Sequence, residues 1–303
     1  MYYITERDVT ENLGMKETIG AMREAFSDYS SGEADTRPRE RIILNGIVYN
    51  TMPAILPKYG LAGLKTYIAS KNGARFVVVL FDTQSMDLIA VMEANRLGQV
   101  RTGALPAMVT SNIVKEKDIP VCIIGSGFQA ETQLEGLLAV YDPSDIRVYS
   151  RNHRNAAAFA QRMSSKTGMD IRAFERARDA TMGARVINTI TDSNDPIFER
   201  SDLSDTYHVN LCGGNIPTRH EVGTSVLADS QLIIAENLQQ ALRESGEIID
   251  FMKEYPDREV IELKDFIRQA VKAPQRTVFK SMGIGLEDVA AAHVVLKNMG
   301  IRH

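Results

Sequence analysis

Apolar residues Met15, Ile19, Met22, Phe26 and Tyr29 recur at three- and four-residue intervals, which predicts an opening helical region ending near Ser31 and Gly32. Before it, Thr5 and Asp8 have the spacing of a capped helix start. From Arg41 to about Val91 the pattern breaks into short apolar runs at 42–44, 47–49, 64–68, 76–81 and 88–92, divided by Gly, Pro, Asn and Asp. No stretch between those runs is long enough for a crossover helix, so they are predicted to be antiparallel strands. Residues 105–114 then read as a helix.

At Pro120 the texture changes again. Residues 121–124 form a wholly apolar strand and 128–140 have helical spacing; 146–149 and 155–166 repeat the pair. Later strands are expected at 186–189, 208–211 and 232–235, and a final helix at 283–299, closed by Gly300. Strand alternating with helix predicts a parallel sheet with right-handed crossovers.

Composition narrows this picture only a little. A chain of 303 residues exceeds the usual size of one core, which favours two domains. A net charge of −4 gives no reason to expect nucleic acid or an anionic membrane as partner. The apolar run 76–81 is far too short to span a bilayer, and residues 1–8 lack the layout of a signal peptide. Cys122 and Cys212 each sit in an apolar stretch and are expected to be buried free thiols, consistent with a cytoplasmic protein. The five histidines have no zinc-site spacing, so no metal is expected.

The candidate chemistry starts at Gly125-Ser126-Gly127-Phe128-Gln129-Ala130, a G-x-G-x-x-A run directly after the strand at 121–124. Gly125 permits the tight turn, Gly127 admits a pyrophosphate close to the backbone, and Ala130 lets the helix pack on the strand. The N–H groups at the helix start then face the phosphates. An NAD site usually ends its second strand with a carboxylate that pairs with the ribose 2′-hydroxyl. Here that strand runs into Ser150-Arg151-Asn152-His153-Arg154, without a carboxylate. Arg151 and Arg154 suit a 2′-phosphate, so NADP(H) is the expected cofactor, with NAD(H) the alternative.

Four further features, in this order along the chain, carry a resemblance to a known family. They are Met52-Pro53-Ala54 with Gly63-Leu64-Lys65, then Arg101-Thr102-Gly103-Ala104, the Gly125 loop, and Phe279-Lys280-Ser281-Met282-Gly283 leading to Glu287-Asp288. Together they resemble the ornithine cyclodeaminase / mu-crystallin family over nearly the whole chain. The resemblance implies an α/β protein in which a Rossmann dinucleotide-binding domain, 113–277, is inserted in an α+β substrate-binding and dimerisation domain, 1–112 with 278–303. That second domain has a largely antiparallel sheet and builds a homodimer. It also implies a substrate-carboxylate grip at Arg39, Lys65 and Arg101, with Arg37 and Arg41 flanking Arg39 and leaving the register open, and Met52 beside it. Cofactor contacts are implied at Thr102, Thr189, Thr191, Cys212, Gly213 and Ser281.

Cyclodeaminases of that family carry an acidic residue where this chain has Asn215, and a second where it has Asn50. An amide cannot exchange a proton at ordinary pH. The reading is therefore reduction of a ketimine or cyclic imino acid, or its reverse. Lys65, Arg101 and Asn215 are the candidate catalytic residues, and Lys65 or a water is the proton source. The competing readings are an ornithine cyclodeaminase forming proline and ammonia, and a non-catalytic protein that binds NADPH and a small carboxylate.

Overall fold

The computed structural model describes residues 1–269 and 274–301. These divide into two compact units, one of residues 1–105, 267–269 and 283–301, the other of 106–266 and 274–282.

The first unit opens with β1 (Tyr2–Ile4), α1 (Glu6–Asn12) and α2 (Met15–Ser31). Thr5 caps α1 as its spacing predicts: its N–H donates to Asp8 Oδ2 at 2.9 Å, and Asp8 N–H donates back to its hydroxyl. The strands β2 (Asp35–Thr36), β3 (Glu40–Leu44), β4 (Ile47–Leu56), β5 (Leu61–Ser70), β6 (Gly73–Asp82) and β7 (Leu88–Glu93) follow. They form one sheet in the order β1-β7-β6-β5-β4-β2, with β3 also on β4. Every pairing is antiparallel except β1 with β7.

Register sorts this sheet into two faces, because successive side chains point to opposite sides. Met52, Lys65 and Val78 stand opposite one another across three strands, and all three are buried. On the other face Ile42, Tyr49 and Ile68 align in the same way and are exposed.

Helix α3 (Asn95–Ile113) starts ten residues earlier than the pattern predicts. Residues 99–110 are all buried, so the helix has no polar face, and the amphipathic signal is missing.

The second unit holds β8 (Pro120–Ile124), α4 (Ala130–Val140), β9 (Asp145–Tyr149), α5 (His153–Thr167), β10 (Ile171–Phe174), α6 (Ala177–Thr181), β11 (Val186–Thr189) and β12 (Tyr207–Leu211). Then come α7 (Thr224–Asp229), β13 (Leu232–Ala235), α8 (Leu238–Glu244), α9 (Gly246–Glu254), β14 (Ile261–Glu262), α10 (Leu263–Gln269) and β15 (Arg276–Lys280). The chain returns to the first unit as α11 (Gly285–Asn298). The eight strands form a wholly parallel sheet, ordered β10-β9-β8-β11-β12-β15-β13-β14. Strand order reverses direction between β8 and β11, the switch point at which open α/β sheets bind ligands. The sheet carries a buried polar chain. His208 bonds to Thr277 Oγ1 at 2.8 Å and Asn210 Oδ1 at 3.0 Å, and Asn210 donates to Asn188 at 2.7 Å.

Several sequence expectations need correction. Helix α4 begins at Ala130, not 128, because Ala130 N–H closes a turn on Gly127 carbonyl at 3.1 Å. The division falls at 105/106 and 282/283, where 112/113 and 277/278 were expected. β15 hydrogen-bonds to both β12 and β13, which ties residues through Lys280 to the parallel sheet. Cys122 is buried, but Cys212, just past the end of β12, is partly exposed.

Candidate functional site

In the first unit, three cations named from the sequence come together with two acids. Lys65 projects from β5 on the buried face and is 3% exposed. Its Nζ donates to Asp288 Oδ1 at 2.9 Å and lies 5.9 Å from the centre of the Tyr67 ring. Arg101, on α3, donates from Nε to the same Asp288 oxygen at 3.2 Å and from Nη1 to Glu287 Oε2 at 3.2 Å. Arg39 donates from Nη2 to the carbonyl of Gly283 at 3.2 Å. Gly283 packs against the Arg101 guanidinium, since a Cβ there would lie 2.7 Å from Nη1, and its φ of +77° suits only glycine.

Burial separates the three candidate arginines. Arg39 is buried, whereas Arg37 is exposed and paired with Asp35 at 2.9 Å, and Arg41 donates to Asn50 Oδ1 at 3.1 Å. Asn50 is itself buried, on the same face of β4 as Met52. Burial, then Arg101 and Arg39, lowers the Lys65 pKa to about 8 against the opposing pull of Asp288. Thr102 donates its hydroxyl to Gly98 carbonyl at 2.6 Å, and Met52 lies fully buried opposite Lys65.

In the second unit the loop after β8 has the geometry a phosphate cradle needs. Gly125 has φ +121°, and a Cβ there would lie 2.5 Å from Ile190 carbonyl, so only glycine fits. At Gly127 a Cβ would meet nothing within 4 Å, so the backbone borders open space. Ser126 is partly exposed and Phe128 is exposed, and buried Ala130 starts α4 on the strand. Gln129 Oε1 is buried with no hydrogen-bond partner. An open loop with an unused acceptor, at a helix start beside the switch point, fits a bound dinucleotide. Past β9, Ser150 is partly exposed, while Arg151 and Arg154 are exposed. Asn152 caps α5, accepting from Arg154 N–H at 3.0 Å.

Thr189, Thr191 and Gly213 do not present their polar groups to open space. They converge on Glu221, a residue the sequence pattern does not single out. Glu221 Oε1 accepts from Thr191 N–H at 2.7 Å and Thr191 Oγ1 at 2.9 Å; Oε2 accepts from Thr189 Oγ1 at 2.7 Å and Gly213 N–H at 2.8 Å. Buried Glu221 takes up both threonine hydroxyls, while Thr191 and Gly213 stay partly exposed. Burial raises the Glu221 pKa, and nearby Glu247 adds to this, while Lys280 and the donors oppose it. The bonds that Glu221 accepts favour the charged form against that burial. Lys280, fully buried, lies 3.3 Å from Glu247 Oε2. Ser281 Oγ donates to Glu236 at 3.1 Å. Asn215 is partly exposed in the loop beyond β12.

Glu221 escapes notice in the sequence because its partners, at and just past the ends of β11 and β12, are 8 to 32 residues away. Asp288 carries a weak signal, as a carboxylate among Leu286, Val289 and Ala290.

Among the described residues, no cluster of His, Cys, Asp and Glu suits a metal, and no helix is long and apolar enough to cross a membrane.

The profile of the Ornithine cyclodeaminase/mu-crystallin family matches residues 2–301. A Delta(1)-pyrroline-2-carboxylate reductase of Bacillus cereus (strain ZK / E33L) is 27% identical over 96% of this chain and 94% of its own length. The ketimine reductase mu-crystallin of Macropus fuliginosus is 26% identical over 97% of this chain and 96% of its own. The solved structure of Thermococcus litoralis Delta(1)-pyrroline-2-carboxylate reductase, in complex with NADH and L-proline, superposes with a TM-score of 0.90. It is 26% identical and covers 98% of this chain and 97% of that one.

Proposed function

This chain belongs to the ornithine cyclodeaminase/mu-crystallin family, and on that premise we propose that it is an NAD(P)H-dependent reductase of a ketimine or cyclic imino acid. The observation that carries the reading is the buried cluster in which Lys65 and Arg101 share one oxygen of Asp288, with Arg39 bonded to the glycine that packs on Arg101. Guanidinium and ammonium donors gathered on one buried face suit a substrate carboxylate, which they would pair and hydrogen-bond. Arg39 and Arg101 hold that carboxylate through guanidinium donors. Lys65, with its pKa lowered to about 8, is charged at neutral pH yet close enough to titration to give a proton to the imine nitrogen. A bound nicotinamide supplies the hydride for the C=N carbon. The loop at 125–130 and the start of α4 hold its pyrophosphate, and exposed Arg151 and Arg154, with no carboxylate at that turn, favour NADP(H) over NAD(H). The amides Asn50 and Asn215 leave the proton-transfer groups of a cyclodeaminase out, so the reductase reading is preferred.

The exposed face of the first sheet, with Ile42, Tyr49, Ile68 and Phe81, supports a homodimer through that sheet. Sedimentation of an Ile68→Asp variant as a dimer would argue against it. Two free thiols suit a reducing cytoplasm.

The test is cofactor oxidation with cyclic imino acids, comparing NADPH with NADH. Arg101→Ala abolishes turnover, and Arg151→Ala shifts preference toward NADH. Tight cofactor binding without oxidation across the imine panel would overturn the reductase in favour of a binding protein.

A further inference from the structure

We propose that Asp288 is a positioning residue that fixes Lys65 and Arg101 at their working separation and governs when Lys65 gives up its proton. The inference rests on the reductase reading above.

The geometry gives the two acids of α11 different tasks. Glu287 is spent on its own helix start and on Arg101: Oε1 accepts Ile284 N–H at 2.7 Å and Oε2 accepts Arg101 Nη1 at 3.2 Å. Asp288 reaches both cations through one atom, with Oδ1 at 2.9 Å from Lys65 Nζ and 3.2 Å from Arg101 Nε. Its other oxygen, Oδ2, is buried and has no hydrogen-bond partner. A buried carboxylate that serves only to hold a fold normally has both oxygens satisfied, since a bare one costs free energy. Among the described residues, Lys65 and Arg101 are the donors that Asp288 accepts from, so its charge bears most directly on them. The alternation of β5 brings Lys65 to this face, and Asp288 follows Glu287 directly in α11, so the contact is set by the scaffold.

The groups facing Lys65 can be named from each side. Asp288 comes from α11, with Glu287 beyond it on Arg101; Arg101 comes from α3, and Arg39 from the segment before β3. The rings of Tyr67 and Phe76 lie beneath, and Met52 opposite is uncharged. Burial and the two arginines favour the neutral amine. Asp288 is the acid that touches the ammonium directly and keeps it charged. Without that charge, the proton leaves at lower pH and Arg101 loses an acidic partner.

The experiment uses the full chain with saturating NADPH and follows kcat/KM for a cyclic imino acid against pH. The wild type is expected to lose activity on a basic limb as Lys65 is neutralised. Lys65→Arg, which stays charged but has no proton to give at this pH, is expected to lose turnover, which ties the limb to Lys65. Asp288→Asn should move the limb down by about one unit or more, a tenfold change in Lys65 acidity. It should also raise KM more than it lowers the plateau kcat. Asp288→Glu, which keeps the charge, should return the limb to its wild-type position. A limb that stays in place in Asp288→Asn overturns the proposal, as does one that survives Lys65→Arg. If Asp288→Asn does not fold, Asp288→Glu carries the test, and a displaced limb in that variant overturns it.

A second readout needs no turnover. Calorimetry of L-proline binding in buffers of different ionisation heat counts the protons taken up, and the pH of maximal uptake should fall in Asp288→Asn. If no imine oxidises the cofactor yet that maximum shifts, the reductase reading fails and the role of Asp288 stands. An unshifted maximum refutes that role whatever the activity.

Discussion

Replacing Glu221 by Gln tests whether its carboxylate is ionised and whether it fastens the loops beyond β11 and β12. The swap conserves shape but turns one accepting oxygen into a donor. If the amide nitrogen takes the Oε1 place it meets Thr191 N–H at 2.7 Å; in the Oε2 place it meets Gly213 N–H at 2.8 Å. The threonine hydroxyls can rotate and accept from the new amide, but a backbone N–H cannot. One buried N–H is therefore stranded in either orientation, at a cost of about 1–3 kcal/mol, and the remaining bonds lose their charge assistance. Relief of the repulsion from Glu247 offsets part of this. The net loss is about 3 kcal/mol, which for a protein of this size lowers the melting temperature by about 6–12 °C. Thermal unfolding by circular dichroism without cofactor measures it, and cofactor titration should show weaker binding as the two loops loosen. A loss below about 0.5 kcal/mol with unchanged cofactor affinity would refute the reasoning, because Gln is a faithful copy only of a protonated glutamic acid.

Burial drives the His208 pKa down to about 3, so the folded protein holds it neutral while the unfolded chain protonates near 6.5. Its contribution is fully present above about pH 6.5 and is lost as pH falls toward 3, amounting to about 3 kcal/mol by pH 4.5. Urea unfolding at pH 7 and 4.5 should show a smaller acid loss in His208→Gln than in the wild type, and equal losses would sink the idea. At Gly127 a methyl group meets nothing within 4 Å, so Gly127→Ala should leave unfolding stability within about 0.5 kcal/mol of wild type. The same methyl would intrude on a pyrophosphate held at the proposed loop, so the dissociation constant for NADPH should rise at least about tenfold. Unaltered affinity would remove the loop from the cofactor site.

Much of this protein is legible in local pattern. The period of the apolar residues separates the antiparallel strands of β3–β7 from the alternating strands and helices after Pro120, because each signal is set by neighbours a few residues apart. The Gly125 loop is readable for the same reason: a tight turn and a helix start are local events. Lys65, Arg39 and Arg101 could be named from motif order, but three arginines at 37, 39 and 41 look alike in one dimension. Of the three, Arg39 is the buried one, because side chains there enter or leave the interior according to the path of the chain.

What tertiary structure decided is everything that depends on long-range pairing. β15 enters the parallel sheet between β12 and β13 only because two distant strands leave it a place, so the end of the inserted unit moves to 282/283. Helix α3 lacks a polar face because it is enclosed along most of its length, and periodicity cannot report a helix buried all round. Asp288 in the first unit meets a partner 223 residues away, and Glu221 in the second meets donors at the ends of two other strands. A buried charge is held by whatever the fold brings within about 3 Å of it, and that distance is not written along the chain.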